Sequence, residues 1–215
     1  MKNLPVFTTE NGVSSLTLQQ IPYRGTAYIQ VQSAEPDGLQ AHIRECAEFC
    51  RMAGAERIYV SGSGKEPDVK ILELRGVPNL DFDKVQNIFP VTEQTVSAWR
   101  NIVNERLKGV DLAGYLEARD EAEILQSGGA YFVHSSGELL GVGWLQEGTL
   151  KILAGVRPGA GEQVAQTILS VTPGESIRIE VASTNGKALH LYEKLGFLPV
   201  AVLEEWSQIR LENSK

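Results

Sequence analysis

The sequence is poor in three features that would narrow its class at once: cysteine, long apolar runs and positive charge. Its 215 residues include two cysteines. No segment approaches the roughly 18 apolar residues of a membrane-spanning helix. The first residues, MKNLPVFTTENG, lack the continuous apolar segment of a signal peptide. We therefore expect a cytoplasmic protein without a membrane partner.

Lysine and arginine together number 20 against 27 aspartates and glutamates, which leaves a formal net charge of −7. Nucleic-acid binding needs a basic face that neutralises phosphates, so we expect no nucleic-acid partner. The acidic balance mildly favours a cationic ligand such as an amine. The remaining composition, 42% hydrophobic and 22% charged, is that of an ordinary globular protein with a sizeable core.

The two cysteines lie on one face of a predicted helix. That face comprises Leu39, Ile43, Cys46, Cys50 and Ala53. The helical spacing indicates that both thiols pack as small apolar side chains. A metal site would need more ligands than His42, which is the one further candidate nearby, and a disulfide four residues apart on a helix has poor geometry. We therefore expect no metal.

A polar segment at 61–67, SGSGKEP, is the best candidate for a domain boundary. Before it, SLTLQQI, TAYIQVQ and RIYVSG predict strands, and a helix is predicted over about 38–53, ended by Gly54. The strands on either side of that helix are expected to be parallel and joined by a right-handed crossover. Residues 1–64 thus form a predicted N-terminal strand–helix–strand unit.

From 68 to 215 the predicted order is strand, helix, helix, hairpin, strand, helix, strand, helix, strand. The first two helices are predicted at about 92–108 and 111–126, and the Gly-Gly pair at 128–129 closes the second. The hairpin turns at Ser135-Ser136-Gly137. This order is typical of an α/β protein with a mixed sheet.

Two segments, 28–60 and 149–181, share an outline of strand, proline, glycine, helix, glycine and strand. In their alignment Pro36 matches Pro158 and Val60 matches Val181, with about one residue of slippage. One interpretation is a structural repeat, in which the N-terminal unit is a degenerate copy. The other is that any two right-handed strand–helix–strand units share this outline.

The most informative segment is 180–197, EVASTNGKALHLYEKLGF, which predicts a strand end, a loop, a helix and a glycine stop. Asn185 is placed to cap the helix by accepting an N–H from its first turn. Gly196 fits a left-handed C-terminal position, from which Phe197 folds back onto the helix. The apolar stripe of that helix consists of Ala188, Leu191, Tyr192 and Leu195.

This segment resembles the C-terminal signature of the GNAT superfamily of acyl-CoA-dependent N-acyltransferases. In both, a strand and an Asn precede an Ala-containing helix that runs into Tyr-Glu-Lys-Leu-Gly-Phe. The resemblance extends upstream through the hairpin GELLGVGWL and the strand LKILAGVRP, and it covers about residues 69–215. It implies a GNAT-like fold with a mixed sheet, in which the parallel strands at 150–156 and 177–181 begin adjacent and then splay apart.

The resemblance further implies acetyl-CoA as co-substrate. Its pantetheine arm would pair with backbone groups of a strand beside the splay, and its pyrophosphate would lie on a glycine-rich loop that opens a helix. The implied contacts are Ala154, Gly155, Val156, Gly159, Ala160, Gly161, Asn185 and Tyr192.

The loop at 157–163 departs from the family pattern. The family has Gln or Arg three residues before the first glycine, where this chain has Val156. Glu162 adds a negative charge at the position expected for the pyrophosphate. A short turn followed by a helix start is the alternative interpretation of this loop.

Tyr192 is implied as the acid that protonates the departing CoA thiolate, with a packed core tyrosine as the alternative. No motif identifies the base that takes the proton of the amine. Glu180, in the strand beside the expected splay, is the first candidate. The other candidates are Glu147, Glu138, His134 and His190.

The function implied by the resemblance is N-acetyl transfer from acetyl-CoA to a primary amine of a small molecule or a protein. The alternative is a non-catalytic binding or regulatory module on the same fold, favoured by the irregular 157–163 loop. In a third hypothesis the N-terminal unit is a degenerate half-domain that covers a sheet edge or helps to form a homodimer.

Overall fold

A computed structural model describes residues 5–210 of the chain. The described part divides into two compact units: residues up to Lys70 together with those from Leu203 onward, and Ile71–Val202. The domain boundaries expected from the sequence, 1–64 and 68–215, stay a prediction. Within the described range, no helix is long and apolar enough to cross a membrane.

The first unit is a small mixed sheet with one long helix. Its elements are β1 (Val6–Thr9), β2 (Gly12–Thr17), α1 (Ile21–Arg24), β3 (Thr26–Ala34), α2 (Leu39–Met52) and β4 (Arg57–Ser61). β1, β2 and β3 are antiparallel neighbours, and β3 pairs with β4 in parallel through the crossover α2. This confirms the predicted parallel strand–helix–strand arrangement. Cys46 and Cys50 are fully buried in the core beneath α2, as the helical spacing predicted.

A polar cluster lies inside that apolar core. The His42 ring is fully buried, with Nδ1 2.8 Å from Thr9 Oγ1 and Nε2 2.7 Å from Ser14 Oγ. Cys46 Sγ lies 3.7 Å from the same Nε2. Both ring nitrogens are therefore hydrogen-bonded to hydroxyls, which ties β1 and β2 to α2. Burial lowers the pKa of His42, because an imidazolium loses hydration there without gaining an acidic partner in contact.

The second unit contains a larger mixed sheet in the order β5-β10-β9-β8-β7-β6. Its strands are β5 (Val69–Gly76, which belongs to this unit from Ile71 onward), β6 (Asn87–Pro90), β7 (Ala130–Ser135), β8 (Glu138–Gln146), β9 (Thr149–Gly155) and β10 (Ile177–Ala182). Its helices are α3 (Val96–Arg106), α4 (Glu121–Ser127), α5 (Gly161–Leu169) and α6 (Gly186–Lys194). The last strand, β11 (Leu198–Gln208), runs from the second unit into the first. The mixed α/β sheet expected from the sequence is thereby confirmed.

Helices cover both faces of this sheet. One core joins α5 and α6 to the face that carries Ile177, Ile179 and Val181. A second core joins α3 and α4 to the opposite face of β8 and β9, around Trp99 and Trp144.

Two glycines of β8 set how closely α5 approaches the sheet. A Cβ at Gly141 would lie 2.5 Å from the Ala154 carbonyl oxygen and 2.6 Å from a methyl group of Val164. A Cβ at Gly143 would lie 2.6 Å from the side chain of Ile168. Such separations are well below ordinary packing contact, so side chains at these positions would push α5 away.

The second predicted helix, 111–126, is wrong in its first half. The α-helix spans only Glu121–Ser127, after a 3-10 turn at Ala118–Asp120. Asn104 holds the preceding chain in an irregular path, because its side chain accepts the Leu116 N–H and donates to the Leu116 carbonyl, both at 2.9 Å. Leu112 adopts a left-handed conformation with φ 59°, which a helix does not permit.

Residues 28–60 and residues 149–181, which share an outline in the sequence, also share the order and direction of their elements. Each consists of a strand, a crossover helix and a parallel strand, and each follows an antiparallel strand across a register shift, at Val13/Ser14 or Trp144/Leu145. That the N-terminal unit is a degenerate copy of the second one stays a prediction.

The His42 cluster gives a pH-dependent stability. Because its folded pKa lies below the ordinary 6.5, the unfolded chain binds more protons as the pH falls through that region. Stability is therefore present above about pH 6.5 and lost below it, with a slope of at most about 1.4 kcal/mol per pH unit from this residue. Urea unfolding between about pH 7.5 and about pH 5.5 measures the slope, and His42→Asn should flatten it. An equal slope in the variant would show that other groups carry it.

Candidate functional site

β9 and β10 run side by side for only two residue pairs. The parallel register joins Thr149 to Arg178 and Leu150 to Ile179, and the strands then diverge. β8 pairs Trp144 with Ile152 but Leu145 with Leu150, so Lys151 is an extra, unpaired residue of β9 at the point of divergence. β10 remains paired with β5 along its whole length, Ile177–Ala182. The result is a notch in the sheet, open beyond Leu150 and Ile179, which confirms the expected splay.

Backbone groups point into this notch from both sides. The Val156 N–H donates to the Leu140 carbonyl at 2.7 Å, so Val156 faces β8. Because alternate residues of a strand face the same neighbour, Ala154 also faces β8, whereas Leu153 and Gly155 face the notch. On β10, the Arg178 N–H donates toward β9, so Glu180 and Ala182 face the notch in the same way.

The backbone contacts expected from the sequence were Ala154, Gly155 and Val156. Of these, only Gly155 directs its peptide groups into the notch. Leu153, which was not a candidate, is the second residue of β9 that does so. Its orientation depends on the unpaired Lys151, because one extra residue reverses the direction of all peptide groups beyond it.

The 156–160 loop leads from the notch into α5. Gly159 has φ 81°, and the N-cap residue Ala160 has no side chain that could cap the helix. Within residues 5–210, the amides of Gly161, Glu162 and Gln163 have no acceptor. The start of α5 therefore presents unbonded N–H groups together with the positive end of the helix dipole.

Two lysines balance the negative charge that Glu162 brings to this end of α5. Lys84 Nζ lies 2.7 Å from one carboxylate oxygen of Glu162, and Lys194 Nζ lies 2.6 Å from the other. Lys194 and Lys84 together hold the pKa of Glu162 below its usual range. Lys84 also lies 3.3 Å from Asp81. The expected repulsion of a phosphate by Glu162 is thus offset by two ammonium groups.

Tyr192 lies in the core beneath α6 and is 7% exposed. Its ring meets that of Phe197 edge-on at 6.1 Å. No hydrogen-bond partner for its hydroxyl is present in the described part of the chain. Burial raises the pKa of this phenol, because the phenolate would lose its hydration. Tyr192 therefore stays protonated throughout the neutral range.

Asn185 caps α6, as its position in the sequence predicted. Its side-chain oxygen accepts the Ala188 N–H at 3.3 Å, and its own N–H donates to the Ala182 carbonyl at 2.9 Å. The second bond joins the end of β10 to the start of α6. At the other end of the helix, Gly196 has φ 91° and the Phe197 N–H donates to the Tyr192 carbonyl at 3.0 Å.

Glu180 is part of a row of four charged side chains on the sheet face opposite α5 and α6. Its carboxylate lies 2.7 Å from Arg178 Nη2, and Arg178 Nε lies 2.8 Å from Glu73. Glu73 also accepts from Arg75 Nε at 2.6 Å. We call Glu73, Arg75, Arg178 and Glu180 the charged ladder. The Arg75 hydrogen bond and the nearby Arg178 charge lower the pKa of Glu73.

Sequence reasoning named Glu180 but missed Glu73, its direct cross-strand neighbour. The Glu73 side chain is only 11% exposed, whereas the Glu180 side chain is 49% exposed. Glu180 follows the last residue paired with β9, so its backbone stands at the closed end of the notch, while its side chain lies on the sheet face beside Arg178.

The other candidate bases lie elsewhere. Glu138 pairs with Arg157, and Glu147 occupies the exposed turn before β9, at the paired end of the strands. His134 packs on Phe89 and is separated from β9 by β8. His190 is exposed on α6.

A hydrogen bond that the sequence did not predict joins the irregular 107–117 segment to the residues that follow β10. The Thr184 hydroxyl donates to Asp111 at 2.8 Å, just before Asn185. The left-handed Leu112 is the next residue. This segment therefore approaches the outer end of the notch from the side of α3 and α4.

No protein-family model matches the sequence, and no curated protein resembles it closely enough to count as a relative. The fold does match solved structures. The GCN5-related N-acetyltransferase of Sphaerobacter thermophilus aligns with a TM-score of 0.52 at 14% identity, over 91% of this chain and 75% of that one. The GCN5-related N-acetyltransferase of Kribbella flavida aligns with a TM-score of 0.53 at 11% identity, over 94% of this chain and 58% of that one.

A third structure, a conserved protein of unknown function from Staphylococcus epidermidis, aligns with a TM-score of 0.53 at 8% identity, over 97% of this chain and 93% of that one. Structural matches at sequence identities this low show a shared fold alone. The chain therefore has the GNAT fold, with the splayed β9–β10 pair at its centre.

The cap made by Asn185 can be separated from any role in binding. Asn185→Ala removes the acceptor of the Ala188 N–H and should cost about 1 kcal/mol of unfolding free energy. Asn185→Asp keeps an acceptor and should keep most of that stability. Urea unfolding of both variants measures the difference. Equal losses in the two variants would mean that the capping bond is not what stabilises α6.

Proposed function

We propose that this chain is an acyl-CoA-dependent N-acyltransferase that moves an acetyl group from acetyl-CoA to a primary amine. The observation that carries the proposal is the notch between β9 and β10. An extended amide chain such as pantetheine can bind there as an added strand, because Leu153 and Gly155 offer peptide groups that no neighbouring strand uses. The GNAT fold supports the proposal at the level of architecture.

The start of α5 is the proposed site for the CoA pyrophosphate. Its unbonded N–H groups and dipole favour an anion. Lys84 and Lys194 offset the charge of Glu162 and lie at the same end of the helix. In this proposal Gly159, Ala160 and Gly161 form the turn that brings the phosphates against the helix, while Asn185 and Tyr192 lie on the opposite side of the notch.

The reaction we propose is direct attack of the amine on the thioester carbonyl. A carbon–nitrogen bond forms, the carbon–sulfur bond breaks, and CoA departs as a thiolate. Glu180, at the closed end of the notch, takes the proton of the amine directly or through water. A peptide N–H of β9 polarises the carbonyl oxygen.

Tyr192 acts on the leaving group in this scheme. Because burial raises its pKa, the phenol is a weaker acid than an ordinary thiol, so complete proton transfer to sulfur is uphill until the thiolate is itself buried. A hydrogen bond from the hydroxyl to the developing thiolate is the role that suits a phenol with no other partner.

The alternative function is a non-catalytic binding or regulatory module. The observation in its favour is the β9–α5 loop, which is short and whose Arg157 is engaged with Glu138. Such a module would bind an acyl-CoA weakly or not at all, and would release no CoA in the presence of amines.

Acetyl-CoA titration tests the proposal. A ligand present at about 100 times its dissociation constant stabilises the folded state by about 2.7 kcal/mol, so thermal unfolding should shift upward with concentration. Desulfo-CoA, which lacks the thiol but keeps the nucleotide, should give a similar shift. The absence of any shift at millimolar acetyl-CoA would refute the proposal.

Tyr192→Phe tests the leaving-group role. The change removes one hydroxyl from the core, so binding of acetyl-CoA should persist while kcat falls by about 10²-fold or more. CoA release in the presence of an amine measures kcat, and calorimetry measures affinity. Tyr131→Phe is the matched control, since Tyr131 borders the same core from β7. If kcat is unchanged in Tyr192→Phe, the phenol has no part in the reaction.

A further inference from the structure

The charged ladder contains an arrangement that ordinary sheet stability does not explain. In the register of β5 and β10, Arg75 stands directly opposite Arg178, and Glu73 directly opposite Glu180. Like charges opposite one another destabilise an antiparallel pair. The diagonal Glu73 bridges both guanidinium groups and offsets part of this repulsion.

The bridge leaves guanidinium donors unused. Arg75 bonds through Nε alone, and within residues 5–210 its two Nη groups have no partner. Arg178 is in ion-pair contact with Glu73 through its buried Nε and with Glu180 through Nη2, and the structure of residues 5–210 shows no contact for Nη1. The two side chains are 56% and 36% exposed, so these donors are accessible to a ligand. The free Nη pair of Arg75, with Nη1 of Arg178 beside it, provides the kind of donor arrangement that binds a carboxylate.

The charged ladder has a negative end and a positive end. Its Glu180 end lies at the closed end of the notch, and its Arg75 and Arg178 end lies one pleat repeat away, about 7 Å along the strand. The four charges sum to zero, with the negative group toward the proposed thioester position and the positive pair away from it. A small zwitterion with an amine at one end and a carboxylate at the other complements this pattern.

We infer that the acceptor is an amino acid or a related small amine that carries a carboxylate, held by Arg75 and Arg178 while Glu180 faces the amine. The inference rests on the proposed acyl transfer. In the reaction the amine nitrogen bonds to the acetyl carbon, CoA leaves as a thiolate, and the proton released by nitrogen passes to Glu180 and then to solvent. The carboxylate takes no part in bond changes and serves to position the amine.

Matched acceptors test this inference with acetyl-CoA held constant. Glycine, β-alanine and γ-aminobutyrate are compared with methylamine, ethylamine and propylamine, which have the same carbon spacing but no carboxylate. We expect kcat/KM for the best amino acid to exceed that of its matched amine by about 10-fold or more, which corresponds to about 1.4 kcal/mol. Comparable values within every pair would overturn the inference and leave acyl transfer standing.

Three variants test whether Arg75 is responsible for the preference for amino acids over alkylamines. Arg75→Gln should raise KM for the amino acid by about 10-fold more than it changes KM for the matched alkylamine. Arg75→Lys keeps a cation beside Glu73 but loses the fork, so it should give a smaller loss of the same kind. Arg44→Gln removes the same charge from an exposed position on α2 and should change neither acceptor.

The outcomes separate the two proposals. If acetyl-CoA neither binds nor releases CoA with any acceptor, the acyltransferase function fails, and this inference fails with it. If transfer occurs and Arg75→Gln lowers activity equally for amino acids and alkylamines, Arg75 has only a structural role and the inference alone is wrong.

Discussion

The divergence of β9 from β10 is the structural constraint on which the rest of the second unit depends. A sheet gains stability from each paired residue, yet these two parallel strands pair at only Thr149–Arg178 and Leu150–Ile179. The unpaired Lys151 turns β9 aside, and β10 is held in place by its full antiparallel pairing with β5. The notch is therefore part of the fold itself, because a bulge bends β9 away while pairing with β5 keeps β10 straight.

The two ends of the notch differ in chemistry, and that difference orders the proposed reaction. At the outer end, the start of α5 supplies N–H groups and lysines, which suit phosphates. At the closed end, Glu180 and the two arginines supply carboxylate and guanidinium groups. The apolar wall with Tyr192 lies on the α5–α6 side of the sheet and the charged ladder on the other. A thioester held between them would meet the amine from one face and release sulfur toward the other.

Sequence patterns predicted what depends on near neighbours along the chain. Asn185, Gly196 and Phe197 were predictable, because capping and left-handed helix ends are set within a few residues. The splay itself was expected through the family resemblance. The pairing of Glu162 with Lys84 and Lys194 joins three distant segments, and the importance of Glu73 depends on the β5–β10 register, so neither left a local signal. The prediction of a helix from residue 111 was wrong because it also depends on a contact outside the segment. The Asn104 side chain, on the preceding helix, forms hydrogen bonds with the backbone of Leu116.

Gly141 and Gly143 have a consequence for how this fold tolerates change. Neither residue contributes apolar area, yet the backbone of β8 and the side chains of α5 meet where their Cβ atoms would stand. The position of α5, and with it the direction in which its first turn points, is fixed by what these two residues lack. Large side chains of this core can be exchanged for others of similar volume, whereas any side chain at these two positions of β8 would displace α5.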